Sequence, residues 1–165
     1  MNSDTLKLIL TRTLAFAGTF VFSLAIVNVL PGASKQRQRS FAQATMDGNL
    51  RRMRLLHFAG ASINARGDRC APLFLAAATG KAEAVRYLLD EGADVNARDE
   101  FGHTALTEAT FNGNVAVIRE LLVRGAETNI VAVDGTALDL ATRTNNAAAA
   151  GLLKHYGGKR ASELR

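Results

Sequence analysis

The chain contains no Trp, two Pro, two Tyr and a single Cys. One cysteine, Cys70, excludes an intramolecular disulfide framework and leaves the redox compartment open. Few large side chains and abundant Ala argue against a sheet core and favour closely packed helices. Also missing are a Gly-rich phosphate loop and a Ser-His-Asp arrangement. His57, His103 and His155 share no metal-ligand spacing with one another or with Cys70. The chain is therefore not expected to be an enzyme, to hold a cofactor or metal, or to take a small-molecule substrate.

What is present suits one ordinary domain: 165 residues, 48% of them hydrophobic. The net charge of +5 is unevenly placed. From Lys35 to Arg69, eight Lys or Arg face only Asp47 and Asp68, whereas from Cys70 onward twelve acidic residues outnumber ten basic ones. Basicity confined to one end is not a long nucleic-acid-reading face, so nucleic acid is not the expected partner. The alternative of another class is an anionic-lipid or nucleic-acid binder acting through the basic 35–69 stretch, which salt would weaken steeply.

That basic stretch follows the one strongly apolar run, Leu14 to Leu30, within 22 uncharged residues from Thr13 to Ser34. As a helix these would extend about 33 Å and cross a hydrocarbon core of about 30 Å. The first expectation is a single-pass membrane segment over 1–34, followed by a basic linker at 35–40. A cleaved secretory signal is the competing reading, with Lys7 and Arg12 as its positive region, and would leave a periplasmic or secreted protein. A buried soluble helix is the third. For an anchor, the basic residues after the span lean toward a cytoplasmic repeat domain. Lys35, Arg37, Arg39, Arg51, Arg52 and Arg54 are then candidates for anionic lipid headgroups, or simply flanking charges.

The remainder repeats. At a spacing of 33, Leu73, Ala76, Gly80, Arg86, Leu88, Leu89, Gly92, Ala93 and Asn96 recur as Leu106, Ala109, Gly113, Arg119, Leu121, Leu122, Gly125, Ala126 and Asn129. Upstream, at 32, Gly48, Leu56, Gly60, Ala61 and Asn64 match the same frame. Downstream, "GTALDLA" from Gly135 matches "GHTALTEA" with one residue deleted. Agreement at a fixed offset is the signature of a stacked array. Four units result, at about 41–65, 66–98, 99–131 and 132–158, with a basic tail at 159–165.

Each unit predicts two helices. A short one of small residues ends at Gly80 or Gly113, where glycine accepts a positive φ. A second carries Val85, Leu88 and Leu89, or Ile118, Leu121 and Leu122, at i, i+3, i+4 spacing. Its apolar stripe is left for a neighbouring unit to cover. Cys70 and His103 fall at the same position of successive units. Packed helices stand about 8–10 Å apart, beyond the roughly 3 Å of a nucleophile–base pair.

"APLFLAAATGKAEAVRYLLDEGADVNARD" and "TALTEATFNGNVAVIRELLVRGAETN" resemble ankyrin repeats, with their Thr-Pro-Leu-His opening, central Gly, Leu-Leu pair and Gly-Ala-Asp-Val-Asn-Ala close. The resemblance covers Phe41 to Gly158, most closely Arg66 to Ile130, and does not reach residues 1–40. It implies an all-α solenoid of about four helix-turn-helix units joined by short β-turn or hairpin connections, here preceded by one hydrophobic N-terminal helix. Ala71 replaces the Thr that caps the first helix, a loss of about 1 kcal/mol. Thr104 and Thr136 keep it, and Thr136 with Asp139 forms a capping-box-like pair. His57 and Phe58 depart from the pattern as a terminal unit with one unstacked side would.

The resemblance also implies a binding surface for a protein partner that the sequence does not identify, made of turn tips and the exposed face of the first helices. The tips are Asp68, Arg69 and Cys70, then Glu100, Phe101 and His103, then Val133 and Asp134. The helix-face positions are Ala78 and Thr79, Phe111 and Asn112, and Arg143 and Thr144. Phe101 and Phe111 stand out as large apolar groups at exposed positions. The alternative is that Phe101 folds back onto the neighbouring turn and Phe111 covers the adjacent helix.

Overall fold

Seven of the helices among the described residues are too short to persist alone, since isolated helices below about 12–15 residues are marginal in water. The computed structural model of the protein describes residues 33–65 and 71–164. Among these, eight α-helices follow one another: α1 (Ala33–Asp47), α2 (Leu50–Phe58), α3 (Pro72–Ala78), α4 (Ala82–Asp90), α5 (Ala105–Phe111), α6 (Val115–Val123), α7 (Ala137–Arg143) and α8 (Ala147–His155). A single 3₁₀ turn, Ala161–Glu163, follows. The described residues contain no strand, only an isolated antiparallel bridge between Ala132 and Gly135. The first helices α3, α5 and α7 pack in a row, the second helices α2, α4, α6 and α8 in another, and α3 closes on α4, α5 on α6 and α7 on α8. This is the all-α stack expected.

The core follows the repeat register. Ala44, Ala76, Ala109 and Ala141 recur at the same place on the four first helices and are fully buried. Their small size lets those helices approach closely. Phe41, Leu73, Leu106 and Leu138 occupy the next buried register, and Leu88, Leu121 and Leu153 the matching one on the second helices. Burial of one such side chain contributes about 1.5–3 kcal/mol.

Helix ends are satisfied locally. Thr104 and Thr107 exchange a capping box on α5, and Thr136 and Asp139 do so on α7. Ala71 makes no side-chain cap, but Pro72 opens α3 without an N–H to satisfy. The turn inside each unit needs a positive φ: Gly80 has +72°, Gly113 +73°, and Asn145 takes the same place in the fourth unit at +54°. Asparagine tolerates this region better than most residues.

Hydrogen bonds tie unit to unit. Asn64 Nδ2 donates to Gly92 O at 3.1 Å, and Asn64 Oδ1 accepts from Asp94 N–H at 3.1 Å. One unit on, Asn96 Oδ1 accepts from Glu127 N–H at 2.9 Å, and then Asn129 Oδ1 from Lys159 N–H at 2.8 Å. The recurring asparagine therefore holds the loop of the next unit. Asn114 Nδ2 reaches back to the carbonyls of Ala77 and Ala78 at 2.8 and 3.1 Å. The tail after α8 is ordered against α7: Asp139 Oδ2 accepts from Ala161 N–H at 2.9 Å, and the Thr136 hydroxyl lies 2.8 Å from Lys159 O.

Two features at the N-terminal end differ from expectation. No helix among the described residues is long and apolar enough to cross a membrane, so the expected single-pass membrane localisation is corrected. The longest described helix, α1, has 15 residues, about 22 Å at 1.5 Å per residue, and carries Lys35, Arg37 and Arg39. The apolar run Leu14–Leu30 on which both the anchor and the cleaved signal rest lies outside the described residues. The 35–40 stretch, expected as a linker, is helical within α1. The Arg37 guanidinium donates to Ala59 O, and Gln38 exchanges two 3.0 Å hydrogen bonds with the backbone of Ser62.

A Cβ on Gly80 would stand 2.8 Å from Asn114 Oδ1, at a φ that alanine disfavours. Gly80→Ala is expected to lower unfolding stability by at least about 1–2 kcal/mol, measured by urea denaturation. Burial alone would raise the pKa of Asp139. Hydrogen bonds from Ala161 and Thr136 and the positive charge of Arg160 outweigh it and hold the carboxyl below its ordinary value. A lowered folded-state pKa gives stability that is present above the unfolded pKa and lost as pH falls through the folded one. Asp139→Asn is therefore expected to cost about 1 kcal/mol near neutral pH, as loss of a cap does, with the difference from wild type vanishing in acid. Thermal melts across pH check this.

Candidate functional site

The tip of the third unit is built by one carboxylate. Asp99 Oδ1 accepts from the N–H groups of Phe101 and His103 at 2.9 and 2.8 Å, while Asp99 N–H donates to His103 O at 2.9 Å. The loop closes on itself and turns the Phe101 side chain outward, 56% exposed. Phe101 O accepts from Val133 N–H at 3.2 Å, which stitches this tip to the next. At the fourth tip Val133 is 72% exposed and Asp134 is exposed beside it. Phe111, on α5, is 55% exposed. Neither phenylalanine is buried.

The electrostatics of the two tips run through His103. Its Nδ1 lies 3.4 Å from Asp99 Oδ2 and its Nε2 lies 3.6 Å from Asp134 Oδ2. Arg143 Nη2 approaches the same Asp134 oxygen at 3.8 Å. Glu100 is exposed at the outer edge. The face is thus acidic overall, with an imidazole and one arginine set among its carboxylates.

Other sequence-based candidates have different surroundings. Thr79, Asn112 and Thr144 are the C-caps of α3, α5 and α7. Their side chains turn back on their own helices: Thr79 and Thr144 hydroxyls donate to Leu75 O and Leu140 O at 2.9 Å, and Asn112 Nδ2 to Glu108 O at 3.0 Å. Ala78 is half-buried. Asp68, Arg69 and Cys70 lie outside the described residues. Of the basic candidates, Arg51, Arg52 and Arg54 are exposed on α2, with Arg54 5.8 Å over the Tyr87 ring. Burial and the neighbouring charge of Glu91 raise the pKa of the Tyr87 hydroxyl despite that arginine.

His57 bridges units as well, with Nδ1 at 2.9 Å from Ala61 O and Nε2 at 3.6 Å from Glu91. His155 stacks edge-on with Tyr156 at 5.4 Å. No group of three potential metal ligands occurs among the described residues.

Between α5 and α7 lies a cavity of about 150 Å³ lined by His103, Thr107, Glu108, Phe111, Asp134 and Leu140. Sequence reasoning singled out His103, Phe111 and Asp134 but missed Thr107, Glu108 and Leu140. A signal for Glu108 was present: at its place in the frame the neighbouring units carry Leu75 and Leu140.

Residues 41–132 match the profile of ankyrin repeats (3 copies). The rat ankyrin repeat and SAM domain-containing protein 6 is 42% identical over 82 residues, 48% of this chain and 9% of that protein. A bovine mitochondrial disaggregase is 47% identical over 60 residues, 36% of this chain and 9% of that one. A Schizosaccharomyces pombe palmitoyltransferase is 43% identical over 63 residues, 38% and 10% respectively. The chain thus spans about a tenth of these relatives, and the matches to those that are enzymes lie in the repeat region only. The stacked helix pairs and a family profile covering more than half of the sequence agree: the chain belongs to the ankyrin-repeat family, a protein–protein interaction scaffold.

Proposed function

We propose that the third and fourth units bind a partner protein through their turn tips and the exposed face of α5 and α7, by non-covalent recognition without a chemical step. The observation that carries this reading is the exposure of Phe101 and Phe111, both more than half accessible on a rigid, internally bonded frame. Aromatic side chains held out of the core supply large contact area and are enriched among the few residues that dominate an interface. Their setting supports the same reading. Phe101 is fixed by the Asp99 loop and by Val133 N–H, so little order is lost on docking.

The Phe101→Ala, Phe111→Ala double variant is expected to keep its helical content and melting midpoint, since both rings lie outside the core. Affinity for a partner co-purified from the source cells is expected to fall about 30-fold or more, the effect of losing about 2 kcal/mol at an interface anchor. Isothermal titration of wild type and variant decides it; a folded variant that binds at full affinity would remove the proposal.

A further inference from the structure

The cavity between α5 and α7 mixes two chemistries. Phe111 supplies apolar surface above the buried Leu140, and Glu108 and Asp134 supply carboxylates from two different units. At about 150 Å³ it is smaller than the roughly 300–1,000 Å³ of small-molecule sites. That is space for a single long side chain.

Neither carboxylate is strongly committed within the chain. Among the described residues, Glu108 Oε1 accepts from the Asn112 amide at 2.9 Å. Asp134 is met by Arg143 at 3.8 Å and His103 at 3.6 Å, both near the outer limit of an ion pair. Arg143 and Asp134 are each about half exposed, at 52% and 49%, and surface pairs of this kind are weak. A better-placed cation displaces Arg143 at little cost. The stack does not require Glu108: α5 buries Leu106, Ala109 and Thr110, and units two and four carry leucine at the Glu108 position.

We propose that this cavity is the anchor pocket for one arginine side chain of the partner. Its aliphatic stem lies against Phe111, and its guanidinium sits between Glu108 and Asp134. Arginine fits better than lysine because a planar fork of five donors can serve two carboxylates at once, whereas an ammonium is a point charge. An acidic segment is disfavoured by the same carboxylates and by Glu100 at the rim. The inference rests on the reading that this face binds a protein, and it names the chemistry of the partner.

The probe is a phage-displayed library of random 12-residue peptides, selected on the full chain. Peptides whose binding is lost in Phe101→Ala, Phe111→Ala are expected to be enriched in arginine. Replacing that arginine by norleucine is expected to weaken binding at least about 10-fold on wild type. On Glu108→Gln, Asp134→Asn the same replacement should change binding less than about 2-fold. Glu108→Gln alone, isosteric and half-exposed, repeats the comparison should the double variant melt earlier than wild type. Phe111-dependent peptides without arginine enrichment, or with an arginine indifferent to the two carboxylates, overturn the pocket and leave the docking face standing. A selection that yields no peptide sensitive to the two phenylalanines overturns both.

Discussion

Every helix pair in this chain has an apolar stripe that it cannot bury by itself, and covering that stripe with the next pair is the interaction on which the rest depends. Helices of seven or nine residues do not hold together in water alone. They persist because Ala44, Ala76, Ala109 and Ala141 let the first helices lie close, while Leu88, Leu121 and Leu153 fill the space behind. Stability in such an array is approximately a sum of units and their nearest-neighbour contacts. On α2, Leu55 stays 60% and Phe58 83% exposed.

Hydrogen bonds convert that stack into a frame of fixed pitch. The loops between units run over the surface with many backbone groups to satisfy, and Asn64, Asn96 and Asn129 each take groups of the following loop. Asp139 closes the series by holding Ala161, so the tail stands where the loop of another unit would. Because the loops are tied at regular intervals, the tips are presented at set distances. Val133 N–H on Phe101 O draws the last two tips together.

The candidate site uses what the frame leaves over. Phe111, Glu108, Asp134 and Arg143 occupy no buried register, and the stack would form with other side chains there. A scaffold whose folding residues and contact residues are separate can change its partner without changing its fold. The acidic cavity beside an exposed aromatic ring is then a property of this chain rather than of the repeat.

Local signals made much of the fold legible. Recurrence at 32 and 33 residues, Gly at the turns, Thr at the helix starts and i, i+3, i+4 leucines each act within one unit, so the order of helices and the capping box at Thr136 and Asp139 could be read directly. The helix over 35–40 could not, because Arg37 and Gln38 are held by Ala59 and Ser62, more than twenty residues away. Hydropathy led to a membrane segment, while the described helices contain no span. For the site, sequence alone determined that Phe101 and Phe111 fall on tips and first helices. Only the tertiary structure decided that both rings stay exposed, that Asn114 clasps the preceding unit, and that Glu108 and Asp134 line one cavity. Those outcomes depend on how neighbouring units pack, and packing distance is not written in the spacing of any one repeat.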